Sequence, residues 1–278
     1  MPMIKILGKE LALSSTQIAF LRDRADAMNT INKYLEQNIF SEESKIFAIW
    51  SINYLMQNPN VTINQFKNWF MGTSEGQDGD YDAAYWENPN LTFQKQNLPT
   101  FIDFKSACPS KYTNAQSLCT DIGGEILTMY NAVIAKGKNL NTCAIRISRA
   151  LNYSGIIIPS LPDNPDGSKN TALGSDGKKY IINARALNIW MKKTFGTSSS
   201  SYKHYTALQG GIKGENFPSL LDGKQGIYSM VSKGEIQKAW GTGHADLLEN
   251  GECLLNCHFY DTNNEFVPVD YIDVWILN

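Results

Sequence analysis

Two residues have the settings that nucleophilic chemistry requires. In the stretch NLNTCAIRISRALNYSGIIIP, residues 139–159, Asn141 or Thr142 is placed to cap a helix that begins at Cys143, with Ile147, Ala150 and Leu151 on the thiol's face. A thiol in the first turn of a helix lies near unsatisfied N–H groups and the positive end of the macrodipole, which favours thiolate. The competing reading is an inert core cysteine facing a sheet. A thiolate nucleophile needs a base within hydrogen-bond reach, and sequence separation is no obstacle because such pairs meet only in the fold. His244 is the candidate: it follows Trp240-Gly241-Thr242-Gly243 and opens a strand, so glycines leave its imidazole approachable. Trp240 and Gly243 are the candidate substrate contacts beside it.

The remaining polar clusters carry less. His204 reads as a solvated residue of a serine-rich loop and His258 as a structural residue within a strand. Asp78, Asp80 and Asp82 alternate like a calcium loop, yet the glycine at the sixth position and the glutamate at the twelfth are missing. Cys253, Cys257, His258 and Cys143 have the composition of a zinc site without a second spaced pair. No metal and no cofactor are expected. Five cysteines, an odd number, suggest two pairs and one unpaired thiol, the pairs being Cys108 with Cys119 and Cys253 with Cys257. Five reduced, buried thiols are the alternative.

The elements that must position these groups show in the periodicity. A helix capped by Ser14 or Ser15 carries Ile18, Leu21, Ala25 and Met28 on one face. A second spans Ser41 to Met56, and a third, capped by Thr62, aligns Ile63, Phe66 and Phe70. Residues 72–90, rich in turn formers and acids, read as a boundary between halves. Beyond it, helices are predicted from Glu125 to Lys136 and from an Asn183 cap to Gly196. Strands are predicted at Ile227–Val231, His244–Glu249, Cys253–Tyr260 and Tyr271–Leu277, and Ser198–Ser201 reads as a mobile loop.

Composition excludes several classes. With 42% hydrophobic residues and a formal charge of -2, the chain has a core-forming composition and no basic face for nucleic acid. No apolar run reaches the roughly 18 to 20 residues of a membrane span. The start, MPMIKILGKELALSS, carries Glu10 before any small-residue cleavage site and does not read as a secretory signal.

The motifs NTCAIRISRALN, KKYIINARALNIWMKKTFG, GKQGIYSM, GTGHADL with NGECLLNC, and FVPVDYIDVWIL occur in an order that resembles the fourth family of type VI secretion amidase effectors, from about Leu98 to the C-terminus. The resemblance implies an α+β, papain-like fold similar to NlpC-type peptidases over 98–278, with 1–97 a mainly helical region of unknown role. It implies a peptidoglycan substrate, cut between the γ-carboxyl of D-glutamate and meso-diaminopimelate. It also implies Cys143 as nucleophile, His244 as base and a Cys253–Cys257 disulfide, hence an oxidising, periplasmic site of action in a target Gram-negative cell. A cognate immunity protein and the type VI secretion machinery are the implied partners. One departure bears on catalysis: members of the family can carry an aspartate between the two cysteines, where this chain has Leu254, Leu255 and Asn256. Asn256 takes the role on the pattern of Cys-His-Asn sites. Asp246 is the alternative because it shares a strand face with His244, but i and i+2 on a strand stand roughly 6.5 Å apart, long for a hydrogen bond. The missing aspartate also admits a binding module that has lost catalysis, and a housekeeping wall peptidase is a further rival.

Overall fold

The structure is a computed structural model that describes residues 2–72, 76, 78–109, 114–233, 241–260 and 269–278. Trp240 lies outside the described residues, as does part of the last motif.

The chain begins with α1 (Pro2–Glu10), α2 (Ser15–Asp23), α3 (Ala25–Gln37), α4 (Glu42–Gln57) and α5 (Ile63–Phe70). Ser14 and Thr62 close capping boxes with Gln17 and Gln65, and Ser41 caps α4, so these starts are set locally as their sequences require. The run from Ile18 to Met28 is two helices rather than one, because Arg24 leaves helical geometry at φ -116°, ψ 73°. Then come α6 (Ala83–Trp86), α7 (Phe101–Ala107), α8 (Ala115–Ile122), α9 (Gly124–Ala135) and α10 (Cys143–Tyr153). A small hairpin, β1 (Thr171–Leu173) and β2 (Lys179–Ile181), leads into α11 (Ala184–Phe195). The remainder is β3 (Tyr202–Thr206), α12 (Ala207–Gly210), α13 (Phe217–Leu221), β4 (Gly226–Ser232), β5 (Gly243–Glu249), β6 (Glu252–Cys253) and β7 (Val269–Ile276).

The last five strands form one antiparallel sheet in the order β3-β7-β4-β5-β6. β4 is buried along its whole length, as a central strand covered on both faces must be. One face carries Ile227, Ala245, Leu247 and Trp275 into a core shared with α10 and α11. The other carries Tyr228, Met230, Leu248 and Val274 into a core shared with Phe47, Tyr54, Phe66 and Phe70 of α4 and α5. The N-terminal helices therefore form a third layer on the sheet. Removing a ring from this layer, as in Phe70→Ala, costs about 3–5 kcal/mol on the usual scale for buried aromatics.

Two expectations are corrected here. The strand expected over Cys253–Tyr260 is only Glu252–Cys253, because a Cys253–Cys257 disulfide bends the chain and His258 sits at φ 54°. The segment after the serine tract is not a loop through His204: Tyr202–Thr206 pairs with β7 as an edge strand, half exposed and so without a clean apolar alternation.

Candidate active site

Cys143 is the first residue of α10 and is only 1% exposed. The Asn141 side chain accepts its backbone N–H at 3.0 Å, which fixes the turn that starts the helix, while Thr142 makes no side-chain cap. Two polar anchors hold α10 on β2: Ser148 donates to the Ile181 carbonyl and accepts the Ile181 N–H, and Asn152 donates to the Lys179 carbonyl. Apolar packing supplies the third, since Ala144, Ile147, Ala150 and Leu151 share a core with Ala245 and Leu247 of β5. The start of α10 is thereby set against the strand whose second residue is His244.

His244 lies opposite Met230 in the sheet and is 1% exposed. β6 pairs only with Leu248 and Glu249, so among the described residues no strand pairs with the outer edge of β5 at His244. Chain leaving the disulfide loop runs along that edge instead, with the Leu254 N–H on the Leu247 carbonyl at 2.9 Å. Asp246 accepts from the Leu255 N–H and from the Leu247 N–H, both at 2.8 Å. Its Oδ2 is 3.8 Å from His244 Nε2, which has no hydrogen-bond partner among the described residues. Asp246 is thus the carboxylate beside the imidazole. The side-chain atoms are closer than the roughly 6.5 Å that backbone spacing suggests. No contact of Asn256 with His244 occurs among the described ones; its Cβ instead faces the backbone of Gly72.

The walls are buried and polar. His258 packs edge-on against His244 with ring centroids 4.5 Å apart, and burial, then the neighbouring His244, holds it well below the usual histidine range. It is a neutral wall. Tyr228 donates to the Cys257 carbonyl at 2.7 Å, and burial, then the Asp246 charge, pushes its phenol well above the ordinary value. Asn68 of α5 fixes the disulfide loop by donating to the carbonyls of Cys253 and Leu255 and accepting the Cys253 N–H. The N-terminal layer thus holds the loop that holds Asp246.

Cys108 and Cys119 are not a pair. Both are free thiols: Cys108 ends α7 within the α10–α11 core, whereas Cys119 points from α8 into a different core under the β1–β2 hairpin. His204 is not a loop residue but pairs through Nδ1 with buried Asp273 at 2.7 Å. Gly243 approaches the Met230 carbonyl too closely for any side chain, so it serves the sheet as well as access to His244. Among the described residues no group of three His, Cys, Asp or Glu side chains is placed to hold a metal ion, and no helix is long and apolar enough to cross a membrane.

One group near the site reads in the sequence only as part of an incomplete calcium loop. Asp78, in the turn-rich stretch after α5, accepts from the Thr242 N–H at 2.8 Å and the Thr242 hydroxyl at 2.5 Å, two residues before His244. Burial pushes its carboxyl up to about 6, against the opposing pull of those hydrogen bonds and of His244. The stretch approaches the site on glycines: a Cβ on Gly72 would lie 2.7 Å from the His258 ring, and one on Gly76 would collide with the Asn139 carbonyl.

Residues 140–275 match the family model for type VI secretion system (T6SS) amidase effector protein 4, Tae4. Among solved structures, the chain is similar to Tae4 in the type VI effector-immunity complex Tae4-Tai4 from Enterobacter cloacae, at 25% identity and a TM-score of 0.50, covering 65% of this chain and 99% of that one. The effector Tae4 alone from Enterobacter cloacae aligns at 25% identity and a TM-score of 0.49, over 67% of this chain and 100% of that one. Tae4 in the Tae4-Tai4 complex from Salmonella Typhimurium aligns at 23% identity and a TM-score of 0.45, over 66% and 100%. No curated protein matches the chain. The mixed helical and antiparallel architecture is the papain-like, NlpC-type fold, and residues 140–275, just under half of the chain, are similar to the Tae4 family of type VI secretion amidase effectors.

Proposed function

We propose that residues 98–278 form a peptidoglycan amidase domain in which Cys143 attacks and His244 transfers protons, cutting the bond between the γ-carboxyl of D-glutamate and meso-diaminopimelate. The observation that supports this best is the seating of the α10 start on β5, whose opening histidine has an unfilled Nε2 and Asp246 at 3.8 Å.

The thiolate of Cys143 adds to the γ-glutamyl carbonyl, and N–H groups of the first turn of α10 receive the oxyanion. Because Asn141 already holds the Cys143 N–H, those donors are the groups that follow it. The imidazolium gives its proton to the departing amine of diaminopimelate. Water, deprotonated by the same histidine, then releases the acyl group as a γ-carboxylate. Asp246 orients the imidazole and stabilises its charged form, the part that Asn256 was expected to play.

The action is placed in the periplasm of a target Gram-negative cell after type VI delivery, a compartment where the Cys253–Cys257 bridge persists. By analogy with the Tae4-Tai4 complexes, a cognate immunity protein that occludes the cleft is the proposed partner. Mass spectrometry of muropeptides after incubation with the full chain is expected to show fragments ending at the γ-carboxyl of D-glutamate. Cys143→Ala and His244→Ala are expected to lower that release by at least about a thousandfold while the chain stays folded. Wild-type release by Cys143→Ala, or a different scissile bond in the spectra, would each reject the corresponding part of the reading.

A further inference from the structure

We propose that Asp78, supplied by the region that precedes the amidase domain, is a positioning residue for His244: it clamps the chain leading into β5 and places a carboxylate beside the imidazolium that forms in catalysis. The inference rests on the Cys143–His244 reading and gives residues before 98 a part in it.

The geometry carries the argument. One oxygen of Asp78, Oδ2, receives both the N–H and the hydroxyl of Thr242, and lies 3.5 Å from the Ala184 N–H at the start of α11. Thr242 itself contacts Asn183, the cap of α11, and accepts the Arg185 N–H at 3.0 Å. The carboxylate therefore ties together the start of α11 and the lead-in to β5, and a shift there moves His244. Its other oxygen, Oδ1, is buried and has no hydrogen-bond partner among the described residues. A structural clamp would satisfy both oxygens, because leaving a buried acceptor unmade is costly. A group kept ionised against burial is a mark of function rather than of stability.

The charges around His244 come from every neighbouring element. Asp246 is on β5 itself, Tyr228 on β4, His258 in the chain after the disulfide and Asp78 before α6. His258 is neutral and the Tyr228 phenol stays protonated. Arg185 on α11 turns its guanidinium to Glu87 instead. Among the described residues, Asp78 and Asp246 are thus the anions able to favour a thiolate–imidazolium pair.

The test uses the full chain with Asp78→Asn and, separately, Thr242→Val. For Asp78→Asn, kcat on purified muropeptides is expected to fall roughly 10- to 100-fold with KM within about twofold, the scale of a misplaced catalytic group. Alkylation of Cys143 by iodoacetamide at pH 7 is expected to slow about tenfold relative to pH 9, with the melting temperature unchanged or raised because a buried charge is gone. Thr242→Val, which keeps the N–H contact, is expected to lose less. Wild-type kcat in Asp78→Asn overturns the proposal, and so does a kcat loss accompanied by a lowered melting temperature and an unchanged alkylation ratio. Cys143→Ala separates the two levels: if it still turns over, the nucleophile assignment fails, whereas an inert Cys143→Ala beside a fully active Asp78→Asn removes only the role of Asp78.

Discussion

The sheet carries two histidine–aspartate pairs, and they are built to opposite ends. His204 and Asp273 sit on adjacent strands β3 and β7, in contact at 2.7 Å. Asp273 is wholly buried and fully served: Tyr202, Asn188 and Lys192 reach it at 2.6, 2.9 and 2.8 Å. His244 and Asp246 share one strand, stand 3.8 Å apart, and leave Nε2 without a partner among the described residues. A buried polar group left open weakens the fold unless something else uses it, so on the proposed reading the looser pair is the chemical one and the tighter pair the structural one.

The sharpest way to break this contrast is to exchange the readouts. Asp273→Ala removes the acceptor of four groups and leaves Lys192 facing an empty, buried position, so stability is expected to fall by about 3–5 kcal/mol in urea unfolding. Specific activity per folded molecule is expected to stay near wild type. Should Asp273→Ala silence the enzyme without unfolding it, the sorting of the two pairs is wrong. Asp246→Asn is expected to do the reverse: kcat falls by about a hundredfold or more as the imidazole loses its orienting charge, while the amide oxygen keeps one of the two backbone N–H contacts and the loss of the other lowers stability by only about 1–3 kcal/mol. Full activity in Asp246→Asn would return the orienting role to another side chain.

How far such a contrast is readable in sequence depends on the range of the interactions that make it. The α10 start at Cys143 and the caps at Ser14, Thr62 and Asn183 are set by residues within three positions, and the sequence marks them directly. β4 is marked by Ile227, Tyr228 and Val231, and β5 by the Asn250-Gly251 turn that closes it. β3 is hidden, since an edge strand with Lys203 and His204 outward looks like loop. CLLNCHFY is rich in strand formers, yet the disulfide bends it, and a bridge competes with pairing in a way propensity does not register. Cys108 and Cys119 are close in sequence but face separate cores, which spacing alone does not show. Asp78 is the extreme case. Its partner Thr242 is 164 residues away, and an acid in a turn-rich stretch gives no local sign of one.

The mildest expected effect concerns the wall of the open pair. His258 is buried against His244 and held well below the usual histidine range, so in the folded state it stays neutral where the unfolded chain takes up a proton. Above a pH of about 6.5 neither state is charged at this residue and its contribution to stability is fully present. Below that, the unfolded state binds the proton first, and stability is lost at up to about 1.4 kcal/mol per pH unit until the folded value is reached. Asp78 works against this: its carboxyl, raised to about 6 from 3.8, is protonated in the folded state first, so acidification from 6 towards 4 stabilises. His258→Gln removes the first contribution and leaves the second. Its melting temperature is expected to fall less than that of wild type between pH 6.5 and 5, with the two curves running parallel above pH 7. Parallel curves across the whole range would mean that His258 takes up its proton equally in both states, and the wall beside His244 would then be charged rather than neutral.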